Sequence, residues 1–380
     1  MIDLSLIGGR IRALRQSRNL TQSEFANILS VSFQAVSNWE RGITPPDIEN
    51  LMRIASYFGV LVDTLLSPAG EDLYIGIDGG GTKTEFAVVT ASGCVLKSTV
   101  KPGSNPNDAG YAASEEIILG GLRELITEFP AVRGVFGGIA GMSTGTHAQK
   151  LESAIKKLYP KIRSRIAGDA INLFAIHDGA EMVVISGTGS VVFVRTGDTY
   201  TRLGGWGYLF DRAGSSYDIG RDAVCAALGE EDSRSEPSDL SRRLREKMGV
   251  STVWEHVTAL YKGGRSYIAG FASQVFEAYS AGDETAKRII DSNAKALAEL
   301  LDMGVKLHGA KPCATASGGI FEHYAHIMIP HIQKYSQVKL MVGTLPPIYG
   351  ACKTACAESD RPADGEFYEN FKRTYEETKK

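Results

Sequence analysis

Two stretches of this chain share one pattern, a pair of apolar strands joined by a short glycine-rich turn. The first is YIGIDGGGTKTEFAVVT, residues 74–90, and the second is EMVVISGTGSVVFVR, residues 181–195. Glycine lets backbone N–H groups approach a ligand closely, so such a turn suits phosphate oxygens. The first stretch is not a Walker A loop, which has the pattern GxxxxGK[ST] followed by a helix. This weak internal repeat favours a two-lobed α/β fold that closes on a ligand between its lobes.

The residues of the two turns are the predicted phosphate ligands. Backbone N–H groups and the side chains of threonine, serine and lysine all donate hydrogen bonds to phosphate oxygens. Asp78 ends the first strand, where its carboxylate is placed to hold Mg²⁺ through water, the usual habit of this ion in proteins. The predicted phosphate-binding residues are Gly80, Gly81, Thr82, Lys83 and Thr84 in the first turn, and Gly187, Thr188, Gly189 and Ser190 in the second.

Composition limits the class of protein. The 380 residues are 43% hydrophobic and 22% charged, with a formal net charge of -3, which is typical of a soluble protein with more than one core. The near-neutral balance argues against a protein coated in basic charge. No segment approaches the ~18 uninterrupted apolar residues of a membrane helix, and the N-terminus lacks the pattern of a signal peptide. We therefore expect a cytoplasmic protein that does not bind membranes.

The five cysteines are scattered without paired CxxC spacing, which favours neither a zinc site nor a disulfide framework. Cys352 and Cys356 lie one helical turn apart. Two soft ligands do not fill a tetrahedral zinc shell. We therefore expect these two cysteines to be small apolar residues on the buried face of a helix.

Residues 1–66 have the spacing of a compact helical domain. Thr21 with Glu24 forms a capping box that starts a second helix. Ser32 can cap a third helix, which ends at Gly42. The inward residues expected on these two helices are Phe25, Ile28, Leu29, Val36 and Trp39.

The segment LTQSEFANILSVSFQAVSNWERG, residues 20–42, resembles the helix-turn-helix of the lambda-repressor-like (Xre) family, and the resemblance extends over residues 7–66. That family usually has glycine in the turn where Ser30 stands, so Ser30 must tolerate the turn geometry. The alternative interpretation is a small helical bundle used for dimerisation or docking.

The helix-turn-helix interpretation predicts a surface that reads double-stranded operator DNA. The amides of Gln34 and Asn38 can pair with an adenine edge, and an aromatic side chain can contact a thymine methyl group. Gln22 and Ser32, at helix N-termini, are placed to reach phosphates. Such modules usually bind as symmetric dimers, so we expect a homodimer. The predicted DNA-binding residues are Gln22, Ser32, Phe33, Gln34, Ser37 and Asn38.

The rest of the chain, residues 73–357, resembles the N-acetylglucosamine kinase and BadF-type ATPase family of the actin-like and sugar-kinase superfamily. The matching blocks, in order, are GIDGGGTKTE, GSN, GIAG, GDA, SGTGS, GGWG, GSSYDIG and SGGI. The resemblance implies a two-lobed actin-like ATPase (ribonuclease H-like) fold with ATP and Mg²⁺ as cofactors. The related dehydratase-activating ATPases need cysteines for an iron–sulfur cluster, and no cysteine of this chain lies in a matching glycine-rich context.

The resemblance also implies roles for single residues. Asp78 and Asp169 would be catalytic and would serve Mg²⁺ through water. Gly318 and Gly319 would lie on the adenosine side. The sugar would be held by Asn105, Ser143 and Asp169.

Two departures from the family pattern bear on activity. Sugar kinases of this family usually have aspartate, the base that takes the proton of the sugar hydroxyl, where this chain has Ser143. Serine is no base at neutral pH, and losing a positioned base lowers the rate ~10²- to 10⁴-fold. The family block GDEGS reads DRAGS here, which leaves Asp211 or Asp169 as possible substitutes.

These patterns together predict the fold class, an all-α helix-turn-helix domain followed by a two-lobed α/β actin-like domain. The predicted boundaries are 1–66 for the DNA-binding domain, 67–72 for a linker, 73–362 for the ATPase domain and 363–380 for a charged tail. Within the ATPase domain, lobe one would comprise residues 73–165 and 346–362, and lobe two residues 166–345.

The leading functional hypothesis is a transcriptional regulator with an ATP- and sugar-binding, amino-sugar-responsive sensor domain. The alternative is an active N-acetylglucosamine or related amino-sugar kinase that uses ATP, or a slow ATPase. A third interpretation is an ATP-driven interaction module without a small-molecule substrate.

Overall fold

The computed structural model describes residues 4–18, 20–60, 62–66, 72–197, 199–360, 363 and 365–379. Contacts within the chain divide it into two units. The first comprises Met1–Ala175 and Leu345–Lys380, and the second comprises Ile176–Thr344. Most of the predicted linker, residues 67–71, lies outside the described residues.

The N-terminal helices confirm the predicted helical domain. The capping box of Thr21 and Glu24 is present, and the Ser32 hydroxyl accepts a hydrogen bond from the third helix. Ser30 adopts the left-handed conformation, φ 56°, as the turn requires. Ile28, predicted to face inward, is instead 42% exposed, because it lies beside the buried stripe of its helix. The helices are α1 Leu4–Ser17, α2 Gln22–Leu29, α3 Phe33–Glu40, α4 Ile48–Phe58 and α5 Val62–Leu66.

The chain then builds a five-stranded mixed sheet. Its strands are β1 Leu73–Gly79, β2 Lys83–Thr90, β3 Val95–Pro102, β4 Val132–Ile139 and β5 Arg163–Ala167. Their order in the sheet is β3-β2-β1-β4-β5. Strands β1, β2 and β3 are antiparallel, and strands β1, β4 and β5 are parallel. The helices are α6 Pro106–Ala109, α7 Tyr111–Glu128, α8 His147–Leu158 and α9 Ala170–Phe174. The predicted lobe boundary at 165/166 falls inside β5, which stays with this sheet because it pairs with β4.

The second unit repeats the same strand plan. Its sheet contains β6 Met182–Ser186, β7 Ser190–Thr196, β8 Thr199–Leu203, β9 Cys313–Ser317 and β10 Lys339–Val342. Their order is β10-β9-β6-β7-β8, with three antiparallel strands on one side and two parallel strands on the other. This repeat confirms the predicted α/β fold class. The helices of this unit are α10 Ser216–Glu231, α11 Asp239–Met248, a 3-10 helix Val253–His256, α12 Val257–Ala269, α13 Ala272–Ser280, α14 Glu284–His308 and α15 Gly319–Ile332.

The last two helices, α16 Pro347–Ala357 and α17 Gly365–Glu377, belong to the first unit. Cys352 and Cys356 are buried on α16, as expected. The predicted charged tail is wrong for α17, because one face of this helix is buried. Its Phe371 is fully enclosed, and the Tyr375 hydroxyl donates to Glu85 of β2. None of the described helices is long and apolar enough to cross a membrane.

Candidate functional site

The end of β1 carries Asp78, which a buried amide holds in place. The Asn172 side chain donates from Nδ2 to Asp78 Oδ1 at 2.7 Å and to the Gly138 carbonyl at 3.1 Å. Asn172 is fully buried, and its Oδ1 has no hydrogen-bond partner among the described residues. A Cβ on Gly138 would lie 2.1 Å from that Oδ1. Glycine at 138 is therefore what lets Asn172 reach Asp78.

Asp169 caps the start of α9, where its Oδ1 accepts from the Ala170 N–H at 3.1 Å. Burial raises the pKa of Asp169. Burial is also the main reason why the pKa of Asp78 is raised to about 6. The hydrogen bond from Asn172 lowers this pKa, and the negative charge of Asp169 raises it. The negative charge of Asp169 therefore adds to the effect of burial on the pKa of Asp78.

This pair of carboxylates is the donor set that Mg²⁺ would meet. Among the residues that the structure describes, no group of three or more histidine, cysteine or acidic side chains could enclose a metal ion. Mg²⁺ bound with nucleotides usually keeps several waters and takes only one or two carboxylates. Asp78 and Asp169 fit that habit, and a cation there would offset the mutual repulsion of their charges.

The first glycine turn is a tight hairpin whose tip faces outward. The Gly80 N–H donates to the Lys83 carbonyl at 2.9 Å, and Gly81, Thr82 and Lys83 are exposed. The position of the Thr84 side chain differs from the one predicted for a phosphate ligand. It is fully buried, and its hydroxyl bonds to the Pro102 carbonyl at 2.9 Å and to the Ser104 hydroxyl at 2.7 Å. The alternation of side chains along β2 directs it away from the tip.

The three predicted sugar-binding residues, Asn105, Ser143 and Asp169, lie in the first unit, and two of them contact glycines that follow its strands. The Asn105 Oδ1 caps α6, and a Cβ on Gly141 would lie 2.2 Å from it. Ser143, two residues after Gly141, is exposed. A Cβ on Gly168 would lie 2.5 Å from Ser143 Oγ, which places this hydroxyl beside the residue that precedes Asp169. The structure therefore places Asn105 beside Gly141, and Ser143 beside Gly168, the residue that precedes Asp169.

The second glycine turn lies against the start of α15. The Gly187 N–H donates to the Gly189 carbonyl at 2.8 Å, and Thr188 at the tip is exposed. Gly318 has φ 95°, and a Cβ there would lie 2.6 Å from the carbonyl oxygen of the residue before Gly187. Gly319 begins α15. The predicted adenosine-side glycines and the predicted phosphate turn are therefore neighbours within the second unit.

Asp211, put forward as a substitute base, is engaged within its own loop. Its Oδ2 accepts from the N–H groups of Gly205 and Trp206, and its Oδ1 accepts from the N–H of Arg212. Both oxygens of this carboxylate accept hydrogen bonds from the backbone, so Asp211 holds the conformation of its own loop and most of its acceptor capacity is used.

The outer face of α3 presents the predicted DNA-reading side chains. Phe33 is 50% exposed, Gln34 is exposed, and Ser37 and Asn38 are partly exposed. The Asn38 Oδ1 accepts from Gln34 Nε2 at 3.2 Å and from an arginine of the following turn, Arg41, at 2.8 Å. Ser32 is exposed at the helix start, where its hydroxyl accepts from a backbone N–H.

Gln22 is placed differently from its prediction as a phosphate ligand. It is only partly exposed, and its Nε2 donates to the buried Glu40 carboxylate at 2.7 Å. Its amide therefore serves the interior of the helical domain.

A family model describes most of the chain. The model of the BadF/BadG/BcrA/BcrD ATPase family matches residues 75–352. The chain belongs to this ATPase family. A helix-turn-helix model matches residues 11–65, so this ATPase-family protein carries an N-terminal helix-turn-helix domain of the Xre-like kind that the sequence predicts.

Individual relatives match one part of the chain or the other. The N-acetylmuramic acid/N-acetylglucosamine kinase of Clostridium acetobutylicum is 29% identical over 75% of this chain and 99% of its own length. The HTH-type transcriptional activator BcrR of Enterococcus faecalis is 44% identical over 17% of this chain and 30% of its own length. A solved ROK family transcriptional regulator, a homologue of the E. coli MLC protein, has the same fold with a TM-score of 0.51 at 14% identity, covering 97% of each chain.

Sequence reasoning missed Asn172 of this ATPase-family domain. It lies three residues after Asp169, in GDAIN, and contacts a residue 94 positions earlier. The available signal was its polarity inside the otherwise apolar helix α9, since a buried amide is expected to hold a partner.

Proposed function

We propose that this protein is a DNA-binding transcriptional regulator whose ATPase-family domain binds ATP and an amino sugar as a sensor. The proposal rests on the observation that one chain contains two kinds of domain. A helix-turn-helix domain presents an exposed polar face on α3, and an ATPase-family domain follows it. The curated relatives support each half separately, because one is a sugar kinase and another a transcriptional activator.

In this proposal each glycine turn, within its own unit, offers exposed hydrogen-bond donors to phosphate oxygens. The first turn offers the exposed Gly81, Thr82 and Lys83, and the second offers Thr188 at its tip. Asp78 and Asp169 would hold Mg²⁺ through water, and the ion would neutralise phosphate charge. Thr84 is left out because its hydroxyl is already bonded inside the sheet.

The assignment as a sensor depends on Ser143. Its side chain is exposed and lies beside Gly168. In the kinases that the chain resembles, a catalytic aspartate is expected at the position of Ser143. Without a base, the sugar hydroxyl keeps its proton, and turnover falls ~10²- to 10⁴-fold. Slow turnover suits a protein that reports on a ligand, since the bound ligand persists.

A DNA-binding assay with the full-length protein tests the first half of the proposal. We expect a gel shift on DNA from neighbouring promoters that is stronger than on random DNA of equal length. Gln34→Ala and Asn38→Ala should each weaken specific binding, by roughly 1–3 kcal/mol if the amide pairs with a base edge. Gln149→Ala, which removes an exposed amide from α8, is the matched control. Equal binding to promoter and random DNA would contradict the proposal.

An ADP-release assay across N-acetylglucosamine, N-acetylmuramic acid and glucosamine tests the second half. We expect slow turnover by the wild type and a rise of up to ~10²- to 10⁴-fold in Ser143→Asp. Wild-type turnover near the ~10 s⁻¹ median of enzymes would show that Ser143 does not limit the chemistry.

The second candidate function, an active amino-sugar kinase, is favoured by one observation. Asp169 lies next to the residue that approaches Ser143 Oγ, and burial raises its pKa, which makes it a better base than an ordinary carboxylate. In that case Asp169→Asn should abolish ADP release, whereas Ser143→Ala should leave it almost unchanged.

A further inference from the structure

Three side chains on the outer face of α3, those of Gln34, Asn38 and Arg41, are joined by hydrogen bonds into a ladder. Residues three and four positions apart are neighbours on the surface of a helix, which brings these side chains together. Gln34 Nε2 lies 3.2 Å from Asn38 Oδ1, and Arg41 Nη2 lies 2.8 Å from the same oxygen. Gln34 and Arg41 are exposed and Asn38 is partly exposed, so the whole ladder is open to a ligand of α3.

The chemistry of arginine fixes the direction of these hydrogen bonds. A guanidinium carries N–H donors and no acceptor, and it is not deprotonated in proteins. The Asn38 atom that faces Arg41 must therefore be the amide oxygen. Because that oxygen only accepts, the Gln34 atom that faces it must be the amide nitrogen. One arginine thus determines the orientation of both amides.

Arg41 is itself held at the end of α3. Its Nε donates to the Ser37 carbonyl at 3.2 Å, one of the last carbonyls of this helix. The last four carbonyls of a helix lack the usual helical partners and carry partial negative charge, so a cation is favourable beside them. The guanidinium is therefore attached at two points, the backbone of Ser37 and the side chain of Asn38.

These contacts leave Asn38 with donors only. An amide oxygen has two lone pairs that can accept hydrogen bonds. Both are used on Asn38 Oδ1, one by Gln34 and the other by Arg41. The remaining polar group of the side chain is Nδ2, which carries two N–H donors. Asn38 therefore offers a ligand hydrogen-bond donors and no acceptor.

This polarity changes which base Asn38 can read in a major groove. Pairing of asparagine with adenine needs the amide oxygen to accept from adenine N6–H while the amide nitrogen donates to N7. The first of these bonds requires a lone pair that Arg41 occupies, and a hydrogen bond from a charged donor is roughly twice as strong as one from a neutral donor. Guanine presents two acceptors, N7 and O6. Guanine therefore matches a side chain that only donates, whereas adenine places its amino group against those donors.

Gln34 keeps both kinds of hydrogen-bonding group. Its bond to Asn38 uses one hydrogen of Nε2 and leaves Oε1 and the second hydrogen for a ligand. An amide with one acceptor and one donor is the group that pairs with adenine. Two neighbouring amides of α3 are thus suited to different bases, because they share one oxygen with an arginine.

We propose that Asn38 reads guanine in the operator, that Arg41 is the positioning residue that makes Asn38 a donor, and that Gln34 reads adenine at another position. The proposal rests on the proposed DNA-binding function and names the bases that α3 prefers. It departs from the expectation that both amides pair with adenine. Because Arg41 acts through Asn38, its effect is on the base preference at one position of the operator.

Selection of bound sequences from a random double-stranded DNA library tests the proposal, with the full-length protein and without a known operator. The position that Asn38 reads is the one whose base preference is lost in Asn38→Ala. We expect the wild type to select guanine over adenine there by ~5- to 100-fold, the usual discrimination of a good base contact. Gln34→Ala should relax a different position, at which the wild type selects adenine.

Substitutions of Arg41 separate a positioning role from a phosphate contact. Arg41→Met removes the donor and frees a lone pair of Asn38 Oδ1, so the preference for guanine over adenine should fall at least ~5-fold at that one position. Arg41→Lys keeps a charged donor without the planar fork and should retain part of the preference. Arg53→Met, which removes an exposed arginine from α4, is the matched control and should leave every base preference unchanged.

Several results would overturn the proposal and leave the DNA-binding function standing. They are adenine at the position that Asn38 reads, no relaxed position in Asn38→Ala, and a guanine preference that survives Arg41→Met. A loss of affinity in Arg41→Met that is equal for all sequences would show that Arg41 contacts phosphate and does not position Asn38. Enrichment of no sequence by the wild type would refute the proposed operator binding itself.

Discussion

Replacing Glu40 by alanine is expected to destabilise the helix-turn-helix domain strongly. Glu40 lies at the end of α3, and the residue is only 3% exposed. Its carboxylate accepts from Arg15 of α1 at 2.6 and 3.0 Å and from Gln22 of α2 at 2.7 Å. One carboxylate therefore ties three helices together, including the helix that presents the predicted DNA-reading side chains.

The magnitude follows from the burial of the partner. The Arg15 side chain is 11% exposed, so Glu40→Ala leaves an almost buried guanidinium without its counter-charge. Removing one partner of a buried ion pair typically costs about 3–5 kcal/mol. Glu49→Ala is the matched control, because Glu49 pairs with Arg53 across one exposed helical turn. Such exposed pairs contribute about 0.3–0.5 kcal/mol.

Hydrogen exchange of the full-length protein, followed on peptides from α1 to α3, measures this difference. A loss of about 3–5 kcal/mol should speed exchange in these helices by roughly 10²- to 4 × 10³-fold, since every 1.4 kcal/mol is tenfold. Peptides from the second unit should exchange as in the wild type. If Glu40→Ala exchanges like Glu49→Ala, the ion pair does not stabilise the domain and the reasoning fails.

The same pair predicts a pH dependence. Burial by itself would raise the pKa of Glu40, but the hydrogen bonds from Arg15 and Gln22 outweigh it and hold the pKa below the ordinary value of 4.5. Because the folded-state pKa is depressed, the contribution is fully present above about pH 4.5 and is lost as the pH falls through the folded-state value. Protection of α1 to α3 should therefore decline at acid pH in the wild type and much less in Glu40→Ala.

Three further substitutions test the first unit. Thr84→Val should lower stability by about 1–3 kcal/mol, the effect of losing buried hydrogen bonds, while ATP affinity measured by calorimetry stays the same; a large loss of affinity would restore Thr84 as a phosphate ligand. Gly138→Ala should displace Asn172 from Asp78 and cost about 1–3 kcal/mol by overpacking, and Mg²⁺-dependent ATP binding should weaken with it. Phe371→Ala should cost about 3–5 kcal/mol, seen as faster hydrogen exchange in β3, and an unchanged rate would mean that α17 is the exposed tail.

Local patterns predicted the elements well, because their causes lie within a few residues. The capping box of Thr21 and Glu24 spans one turn, and the left-handed conformation of Ser30 follows from its place between two helices. The glycine turn after Asp78 separates two apolar strands that pair directly with each other. Repetition of this pattern then predicted the second sheet.

Features that depend on distant contacts escaped prediction. The turn composition drew attention to Thr84, whereas its orientation is decided by pairing with β3, which encloses the hydroxyl. The many charged residues of α17 suggested an exposed tail, and its buried face was missed. Phe367, Phe371 and Tyr375 recur every four residues, which is the period of a buried helical face. Asn172 carried no motif at all, because only the folded chain brings its amide to Asp78, 94 positions earlier.

A sensor of this kind must obey reciprocal linkage between its two ligands. If a bound amino sugar changes operator affinity by some factor, operator DNA must change the affinity for that sugar by the same factor, typically about 5- to 150-fold. Calorimetric titration of the sugar with and without saturating operator DNA measures one side, and gel shifts with and without saturating sugar measure the other. Sugar affinity that is indifferent to operator DNA would mean that the ATPase-family domain does not regulate the helix-turn-helix, however tightly each part binds its ligand, since only differential affinity shifts an equilibrium.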